Sequence, residues 1–250
     1  MKVIILAAGL GLRLGELGKN LPKGMITIFG KTLIERQIEI FHNCGINDIT
    51  IITGHNSEVI KYTNVDYIKN PNYATTNMNE SLFCAKQKFD DSILVSYADI
   101  IFEQRTIEQI LRFRQDVGVA INLDWKKNYK NRTQHSLSEA ENVLIENYKV
   151  VRLRKNITEC LPNQKIGEFL GIIKLSKKGA MYFLEKYLKL KNSHKGVFHS
   201  SPSFQKAYLT DMLQEIVDSK IIVDPIITKG LWMEIDTTED LKRAENLLKN

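Results

Sequence analysis

The chain has 250 residues, of which 43% are hydrophobic and 26% charged, as is typical of a soluble globular domain. No apolar run reaches the roughly 18 residues that a membrane span needs, and Val3 to Ala8 is too short for a signal peptide, so we expect a cytoplasmic protein with no membrane partner. The net charge is +6, but the basic residues are scattered, so we expect no nucleic-acid partner. Three dispersed cysteines (Cys44, Cys84, Cys160) argue against a zinc site or a disulfide framework.

Strand and helix patterns alternate over the first half of the chain. The pattern predicts strands at 2–7, 48–53, 65–68, 92–97 and 117–123, and helices at 32–43, 79–89 and 106–114. Residues 139–155 suit antiparallel strands, and they are followed by strands at 169–175, 221–228 and 231–235 and by helices at 177–190, 204–218 and 237–248. We therefore expect an α/β fold: a single Rossmann-like domain over residues 1–250, with a mixed, mostly parallel central sheet, helices on both faces and an antiparallel insert.

The first strand runs into a glycine-rich turn, Leu6-Ala7-Ala8-Gly9-Leu10-Gly11-Leu12-Arg13. Glycines let the backbone approach a phosphate and direct amide N–H groups at it, and Arg13 adds a charged fork for phosphate oxygens. Lys23, after Pro22, can reach over bound phosphates; without the glycine-rich turn, a surface lysine would be the preferred interpretation. The turn lacks the Gly-Lys-Ser/Thr of a Walker A loop, and Leu14 breaks the dinucleotide fingerprint.

Two acidic residues stand at predicted strand ends, where ligands bind in an open α/β sheet. Asp99 follows strand 92–97, and Asp236 follows strand 231–235. Magnesium is held by few carboxylates together with phosphate oxygens and water. Without further information Asp99 is equally a turn aspartate and Asp236 equally a helix cap, because no local spacing pairs them.

Taken together, these motifs resemble the sugar-phosphate nucleotidyltransferase family, whose signature L-A-A-G-x-G-x-R is followed by P-K and by a late segment like Trp232-x-Glu234-Ile235-Asp236-Thr237. The resemblance implies that Leu6, Ala7, Ala8, Gly9 and Gly11 bind a nucleoside triphosphate. It implies that Arg13 and Lys23 neutralise the phosphates, and that Asp99 and Asp236 bind Mg²⁺ or Mn²⁺. The implied reaction is transfer of a nucleoside monophosphate with release of pyrophosphate.

The nucleotide is expected to be read partly by the segment Asn77-Met78-Asn79-Glu80-Ser81-Leu82, which opens a predicted helix. It resembles the cytidylyltransferase branch, which includes choline-phosphate and phosphonate cytidylyltransferases. Asn79 and Ser81 are therefore expected to bind the nucleotide, with CTP favoured over UTP or dTTP. Capping of the helix by Asn79 is the structural alternative.

Six residues are expected to contact the acceptor. A run after a predicted strand end could grip an anionic group, or could simply be a solvated charge run: Trp125, Lys126, Tyr129 and Arg132. Glu168 and Asp211 lie in segments that resemble the substrate side of phosphonate cytidylyltransferases and could pair an amine. The five histidines show no metal spacing and are expected to be surface or structural residues: His42, His55, His135, His194 and His199.

The leading hypothesis is a metal-dependent cytidylyltransferase that acts on a small phosphonate or phosphoryl compound, such as 2-aminoethylphosphonate, phosphocholine or phosphoglutamine. Phe169-Leu170 replaces the second acid of the sugar branch's G-E-x-E pattern, which argues against a hexose 1-phosphate. A sugar 1-phosphate nucleotidyltransferase and a non-catalytic nucleotide-binding module stay as alternatives. The sequence leaves open the acceptor, a homodimeric assembly and the choice between magnesium and manganese.

Overall fold

A computed structural model describes residues 1–11, 15 and 21–249 of the chain. Its strands are, in chain order, β1 (Lys2–Ala7), β2 (Thr27–Ile28), β3 (Lys31–Thr32), β4 (Asp48–Thr53), β5 (Asp66–Lys69), β6 (Ile93–Tyr97), β7 (Ile100–Phe102), β8 (Val117–Asn122), β9 (Glu141–Glu146), β10 (Lys149–Lys155), β11 (Gln164–Leu175), β12 (Asp224–Ile227) and β13 (Trp232–Glu234). The described α-helices are α1 (Leu33–Asn43), α2 (Met78–Phe83), α3 (Gln104–Leu111), α4 (Lys177–Ser193), α5 (Leu209–Asp218) and α6 (Thr238–Leu248). Short 3₁₀ helices cover Lys23–Met25, Ser57–Val59, Lys86–Lys88, Trp125–Tyr129, Leu137–Glu139 and Phe204–Lys206.

The central sheet has nine strands of mixed direction, which confirms the predicted fold class. Its main path runs β10-β9-β11-β6-β1-β4-β5, and β8 joins β11 to β12. Strands β6, β1, β4 and β5 are parallel neighbours, as are β8 and β12. Strand β11 runs antiparallel to β6, β8 and β9, and β9 and β10 form an antiparallel pair. The antiparallel strands β9, β10 and β11 therefore lie after the region in which strand and helix patterns alternate regularly.

Strand β1 lies in the middle of the parallel part and is buried, with Val3, Ile4 and Ile5 fully covered. Helices flank the sheet, and apolar residues from α1 to α5 join β1 in one core. A parallel strand covered in this way reads as a continuous apolar run, which is why the sequence revealed β1. Among the described residues, none of the helices combines the length and the apolar character needed to cross a membrane.

Helix α1 shows how local sequence sets the bounds of an element. Thr32 caps it in a reciprocal capping box with Glu35, and Gly45 follows its end with a φ of 79°. Ile34, Ile38 and Phe41 face the core. The predicted helix at 32–43 is confirmed.

Three predicted bounds differ from the structure by five residues or more, and the others differ by less. The helix expected at 79–89 ends at Phe83 and is followed by a separate 3₁₀ turn. The helix expected at 204–218 begins at Leu209, because the backbone N–H of Tyr208 is taken by the Asp211 side chain, which caps the helix there. Strand β11 begins at Gln164, five residues before the expected start at Phe169, because its first residues pair with β9.

A two-stranded ribbon of β7 and β13 joins the end of the chain to the central sheet. Ile100 pairs with Glu234 in this ribbon, and the backbone N–H of Ile235 donates to the carbonyl oxygen of Asp99 at 2.8 Å. Ile235 and Ile101 are buried in a small second apolar cluster. The ribbon thereby fixes the residue after β13 beside the residues after β6.

Candidate active site

A cavity of about 420 Å³ opens at the carboxyl ends of β1 and β6. This is the edge at which parallel α/β sheets bind ligands. Its described lining comprises Leu6, Ala7, Ala8, Gly9, Leu10, Gly11, Lys23, Gly24, Thr76, Asn77, Met78, Ser81, Tyr97, Ala98, Asp99, Tyr208 and Glu234. The predicted phosphate-binding turn therefore forms one wall. Arg13, predicted to clamp the phosphates, lies outside the described residues.

The turn after β1 is packed closely against the end of β4. A Cβ atom added to Gly54 would lie 2.6 Å from the carbonyl oxygen of Ala8, a distance that real side chains essentially never show. Gly11 has a φ of 68°, in the left-handed region that glycine tolerates without strain. Two glycines thus permit this path of the backbone, one from within the turn and one from the neighbouring strand.

Lys23, Asp99 and Asp236 converge at the edge of this cavity. The Lys23 ammonium donates to Asp99 Oδ2 at 3.1 Å and also to Asp236 Oδ1. Asp236 is fully buried, and the other two side chains are about 15% exposed. Two carboxylates around a single ammonium group, next to a glycine-rich turn, form a site that can hold cations and phosphates.

The same carboxylates are a suitable donor set for a divalent cation. Hard cations such as Mg²⁺ and Mn²⁺ prefer carboxylate oxygen, and Asp99 and Asp236 already converge on one positive charge. Ligand atoms of His135, Glu234 and Asp236 also lie within 4.8 Å of one another. The residues present therefore fit a divalent metal.

His135, expected to be a surface or a structural residue, is buried. It is only 5% exposed, and its Nδ1 lies 3.2 Å from Asp236 Oδ2. Its Nε2 is buried and has no hydrogen-bond partner among the described residues. No spacing pattern in the sequence predicts this contact, because His135 lies in a loop that is distant from Asp236 along the chain.

A smaller recess adjoins the main cavity and shares Met78, Tyr97, Tyr208 and Glu234 with it. Its volume is about 50 Å³. The remaining lining residues are Ile100, His135, Glu139, Glu141, Lys155, Glu168, Phe169, Gly171, Trp232 and Asp236. Of the residues predicted to contact the acceptor, Glu168 lies here.

Burial raises the pKa of two carboxyl groups in the recess. The pKa of Glu168 rises to about 7 through loss of hydration, although a hydrogen bond from Tyr129 and the nearby Arg132 charge oppose the rise. The pKa of Glu141 also rises to about 7, because burial outweighs the Lys155 charge and the hydrogen bond from Tyr97. Both groups therefore change charge near neutral pH.

Three of the residues expected to grip the acceptor lie elsewhere. Trp125 packs in a separate apolar cluster and donates from Nε1 to the Ile166 carbonyl at 3.2 Å. Lys126 is exposed beside the Trp125 ring. Arg132 forms a bidentate, buried pair with Asp240 at 2.6 and 2.8 Å. None of these three residues lines the recess, and neither does Tyr129, although Tyr129 donates a hydrogen bond to the lining residue Glu168.

Asp211, expected to contact the acceptor, accepts hydrogen bonds from neighbouring groups of the chain through both of its carboxylate oxygens. Its Oδ1 accepts from the backbone N–H of Ser200 at 2.9 Å, and its Oδ2 accepts from Ser201 and from the backbone N–H of Tyr208. With both oxygens occupied, Asp211 caps α5. It thereby holds the segment that carries Tyr208 against the cavity.

Of the two residues predicted to bind the nucleotide, Ser81 lines the cavity and Asn79 does not. Ser81 lines the cavity and accepts from the Asn70 amide at 2.9 Å. Asn79 is fully buried beneath it, with its backbone N–H 3.3 Å from the Ala207 carbonyl oxygen. The helix cap is Asn77 rather than Asn79, and Asn77 itself faces the cavity.

Several lining residues were missed by the sequence analysis. Glu234 stands two positions before Asp236, so the alternation of side chains along a strand could have indicated it. Asn77 opens the segment that was expected to read the nucleotide, and Thr76 directly precedes it. Tyr97 and Tyr208 carried no signal, because ordinary core positions have the same pattern.

A mixed α/β sheet with a glycine-rich turn, a lysine and two convergent aspartates at its carboxyl edge is the arrangement that the resemblance to nucleotidyltransferases implied. Residues 3–170 match the MobA-like NTP transferase domain, and the chain belongs to this family of enzymes. The predicted resemblance to nucleotidyltransferases is thereby confirmed.

Two relatives match over nearly their whole length. The chain is 27% identical to a CTP:phosphoglutamine cytidylyltransferase of Campylobacter jejuni, an alignment that covers 97% of this chain and 98% of the relative. It is 26% identical to a choline-phosphate cytidylyltransferase of Streptococcus pneumoniae, with 100% and 99% covered. The solved structure of the CTP:phosphocholine cytidylyltransferase from Streptococcus pneumoniae superposes with a TM-score of 0.73 at 25% identity, covering 99% of this chain and 98% of that one.

Proposed function

We propose that the protein is a metal-dependent cytidylyltransferase. It transfers CMP from CTP to the anionic oxygen of a small phosphoryl or phosphonyl acceptor and releases pyrophosphate. The observation that carries the proposal is the convergence of Lys23 on Asp99 and Asp236 beside the turn Leu6–Gly11. The choice of CTP is supported by the two full-length relatives, both of which are cytidylyltransferases.

The reaction is a displacement at the α-phosphorus. An oxygen of the acceptor forms a bond to this phosphorus, and the bond to the oxygen that bridges to the β-phosphate breaks, so pyrophosphate leaves with the electron pair. A phosphoryl or phosphonyl oxygen is already ionised near neutral pH, so the protein needs no general base. The protein's contribution is positioning and charge neutralisation.

Each charged residue of the centre has a defined role in this proposal. Lys23 binds phosphate oxygens of the nucleotide, and Arg13 does the same from the glycine-rich turn. Asp99 and Asp236 hold Mg²⁺ or Mn²⁺, which when bound offsets negative charge on the phosphates. His135, 3.2 Å from Asp236, fixes the orientation of that carboxylate.

The polar groups of the cavity wall contact the nucleotide base. Ser81 and Asn77 line the cavity near the start of α2. Asn70 donates to Ser81 Oγ at 2.9 Å and is itself buried, so this hydroxyl is held in a fixed position. A fixed hydroxyl can discriminate between bases by hydrogen bonding.

The test is a panel of nucleotides and acceptors with pyrophosphate release as the readout. CTP, UTP, dTTP, ATP and GTP are each combined with Mg²⁺ and with 2-aminoethylphosphonate, phosphocholine, phosphoglutamine or glucose 1-phosphate. The proposal predicts release with CTP and a phosphoryl or phosphonyl acceptor. Release with UTP or dTTP and the sugar phosphate only would favour a sugar 1-phosphate nucleotidyltransferase. Binding of CTP without release in any mixture would favour a non-catalytic nucleotide-binding module.

A further inference from the structure

Two hydroxyl groups in the wall of the main cavity share one buried amide. Ser81 and Thr76 both line the cavity. The side-chain nitrogen of Asn70 donates to Ser81 Oγ at 2.9 Å and to Thr76 Oγ1 at 3.1 Å. Asn70 itself is only 2% exposed and does not belong to the described lining. It therefore reaches the cavity through these two neighbours.

The orientation of the Asn70 amide is determined by its other contacts. Its Oδ1 accepts from the backbone N–H of Asn72 at 2.9 Å. Its backbone N–H donates to the carbonyl oxygen of Thr53 at 2.8 Å, which ties the residue after β5 to the end of β4. A backbone N–H can bond only to the oxygen of a side-chain amide, so the NH₂ group of Asn70 must face the two hydroxyls.

The hydrogens of the two hydroxyls also have fixed partners. Ser81 Oγ donates to the carbonyl oxygen of Asn77 at 3.3 Å. Thr76 Oγ1 donates to the carbonyl oxygen of Asn72 at 2.8 Å. A hydroxyl has one hydrogen and two lone pairs, so each oxygen keeps one lone pair after its bond from Asn70 is counted. Toward the cavity, this part of the wall therefore offers hydrogen-bond acceptors.

We infer that Asn70 sets the choice of base, by presenting Ser81 and Thr76 as a pair of acceptors for the 4-amino group of cytosine. Two oxygens that flank the NH₂ group of Asn70 on the protein side can flank a second NH₂ group on the cavity side. Cytosine supplies two N–H donors at this position, whereas uracil and thymine have a carbonyl oxygen there. An acceptor that faces a carbonyl oxygen is left without a hydrogen, which costs binding free energy.

The inference rests on the proposed function, because it takes the nucleotide base to lie against this wall. Asn70 is a positioning residue in the arrangement, since it acts on the base through Ser81 and Thr76. Without its two N–H donors the hydroxyls are free to rotate, and they can then donate to uracil as well as accept from cytosine. The expected effect of losing Asn70 is therefore a loss of discrimination between CTP and UTP.

Calorimetric binding of nucleotides to the protein in the presence of Mg²⁺ tests the inference without any transfer step. We expect wild type to bind CTP at least about tenfold more tightly than UTP, as the gain of one or two hydrogen bonds implies. The 2-pyrimidinone analogue of CTP has a hydrogen in place of the 4-amino group, and its affinity should lie between the two. Equal affinities for CTP and UTP, or an analogue that binds as tightly as CTP, would overturn the inference.

Asn70→Ala should lower the ratio of the CTP and UTP affinities by about tenfold. Asn142→Ala is a matched control, because Asn142 is also buried and its Oδ1 also accepts from a backbone N–H, that of Ile157 at 3.0 Å. Asn142 lies outside the described lining of the cavity. The control should lower the thermal midpoint and keep the ratio. The same fall of the ratio in both variants would overturn the inference.

Ser81→Ala and Thr76→Val test the same acceptors with Asn70 in place, and they keep the inference open to refutation if Asn70→Ala does not fold. Each should weaken the binding of CTP and leave that of UTP about the same. The double variant with Asn70→Ala and Ser81→Ala should resemble Asn70→Ala alone, because both changes remove one shared interaction. Independent, multiplying effects of the two changes would contradict the role of Asn70.

These measurements separate the inference from the proposed function. If binding followed the expected pattern but no acceptor gave pyrophosphate, the proposed function would fail and the inference about Asn70 would stand. If CTP gave pyrophosphate but Asn70→Ala and Ser81→Ala kept the preference of wild type, the inference would fail and the proposed function would stand.

Discussion

The ammonium nitrogen of Lys23 lies 3.1 Å from the carboxylate of Asp99, although 76 positions of the chain separate the two residues. The same nitrogen contacts Asp236, a further 137 positions along the chain (236 − 99 = 137). Three distant segments therefore supply one charged centre. Because the Lys23 ammonium offsets charge on both carboxylates, removal of any one of the three groups should affect ligand binding by those that remain.

Loss of either aspartate should impair the reaction far more than it impairs folding. Asp99→Asn and Asp236→Asn keep the side-chain volume but remove a carboxylate from the proposed metal site. We expect kcat to fall by about a hundredfold or more, with weaker binding of Mn²⁺ in calorimetry. Asp224→Asn is a matched control, because Asp224 pairs with Lys149 away from the cavity. Near-normal turnover in either site variant would remove Asp99 or Asp236 from the mechanism.

Lys23→Met should weaken nucleotide binding. The substitution keeps an unbranched side chain but removes the charge proposed to contact the phosphates, so KM for CTP should rise by about tenfold or more. Lys88 provides a close control, since it also bridges two aspartates, Asp48 and Asp66, but at the opposite edge of the sheet. Lys88→Met should change the thermal midpoint and leave KM for CTP as it is. The same rise in both variants would indicate a general structural effect.

Gly54→Ala should displace the glycine-rich turn, although the substituted residue lies outside the turn. The added methyl group would lie 2.6 Å from the Ala8 carbonyl, so the turn must shift away from β4 at a cost of about 1–3 kcal/mol. We expect a higher KM for CTP together with a lower thermal midpoint. Gly118→Ala crowds the Phe113 ring elsewhere in the sheet and should lower the midpoint alone. An unchanged KM in Gly54→Ala would mean that the position of the turn does not limit binding.

The order of elements could be predicted from sequence because local signals determined it. The apolar run Lys2–Ala7 and the Thr32 cap both act within a few residues. The pairing of β11 with three neighbours could not be predicted in this way, because strand partners are set by tertiary packing. The convergence of Asp99 and Asp236 depends on the β7–β13 ribbon, and family resemblance alone suggested it.

The acceptor side of the site was the part least visible in sequence. Arg132 and Asp211 have the charges that a substrate-binding residue needs. Their partners could not be predicted, because Asp240 is distant from Arg132 in the chain and Ser200 belongs to no recognisable motif. Residue type alone does not distinguish a charged side chain that caps a helix or forms a buried ion pair from a charged side chain that binds a ligand. Glu168, also expected to contact the acceptor, lines the recess and accepts a hydrogen bond from Tyr129, another residue expected to contact the acceptor.

The pKa of Glu168, raised to about 7 by burial, predicts a stability that depends on pH. Between about pH 4.5 and 7 the folded protein holds a proton here that the unfolded chain releases, so its free energy of unfolding falls as the pH rises through this window. The charged or titratable groups around it are Tyr129, Arg132 and Glu141. Glu168→Gln should therefore be more stable than wild type at pH 8, by on the order of 1–3 kcal/mol, with little difference at pH 4.5.

Denaturant unfolding of wild type, Glu168→Gln and the control Glu146→Gln at pH 4.5 and pH 8 measures this effect. The control should keep the pH dependence of wild type. Glu168→Gln should be more stable than wild type at pH 8. A Glu168→Gln variant that is less stable than wild type at pH 8 would contradict this prediction.

Transfer of the α-phosphorus of CTP is the central claim, and position-specific labelling tests it most directly. The protein is incubated with Mg²⁺, the acceptor of the panel that gives the most pyrophosphate release, and CTP labelled with ³²P at either the α- or the γ-phosphate, and the products are separated. The account predicts that the α-label enters the acceptor product and that the γ-label leaves in pyrophosphate. Appearance of the γ-label in the acceptor product, or release of both labels as free phosphates, would contradict it.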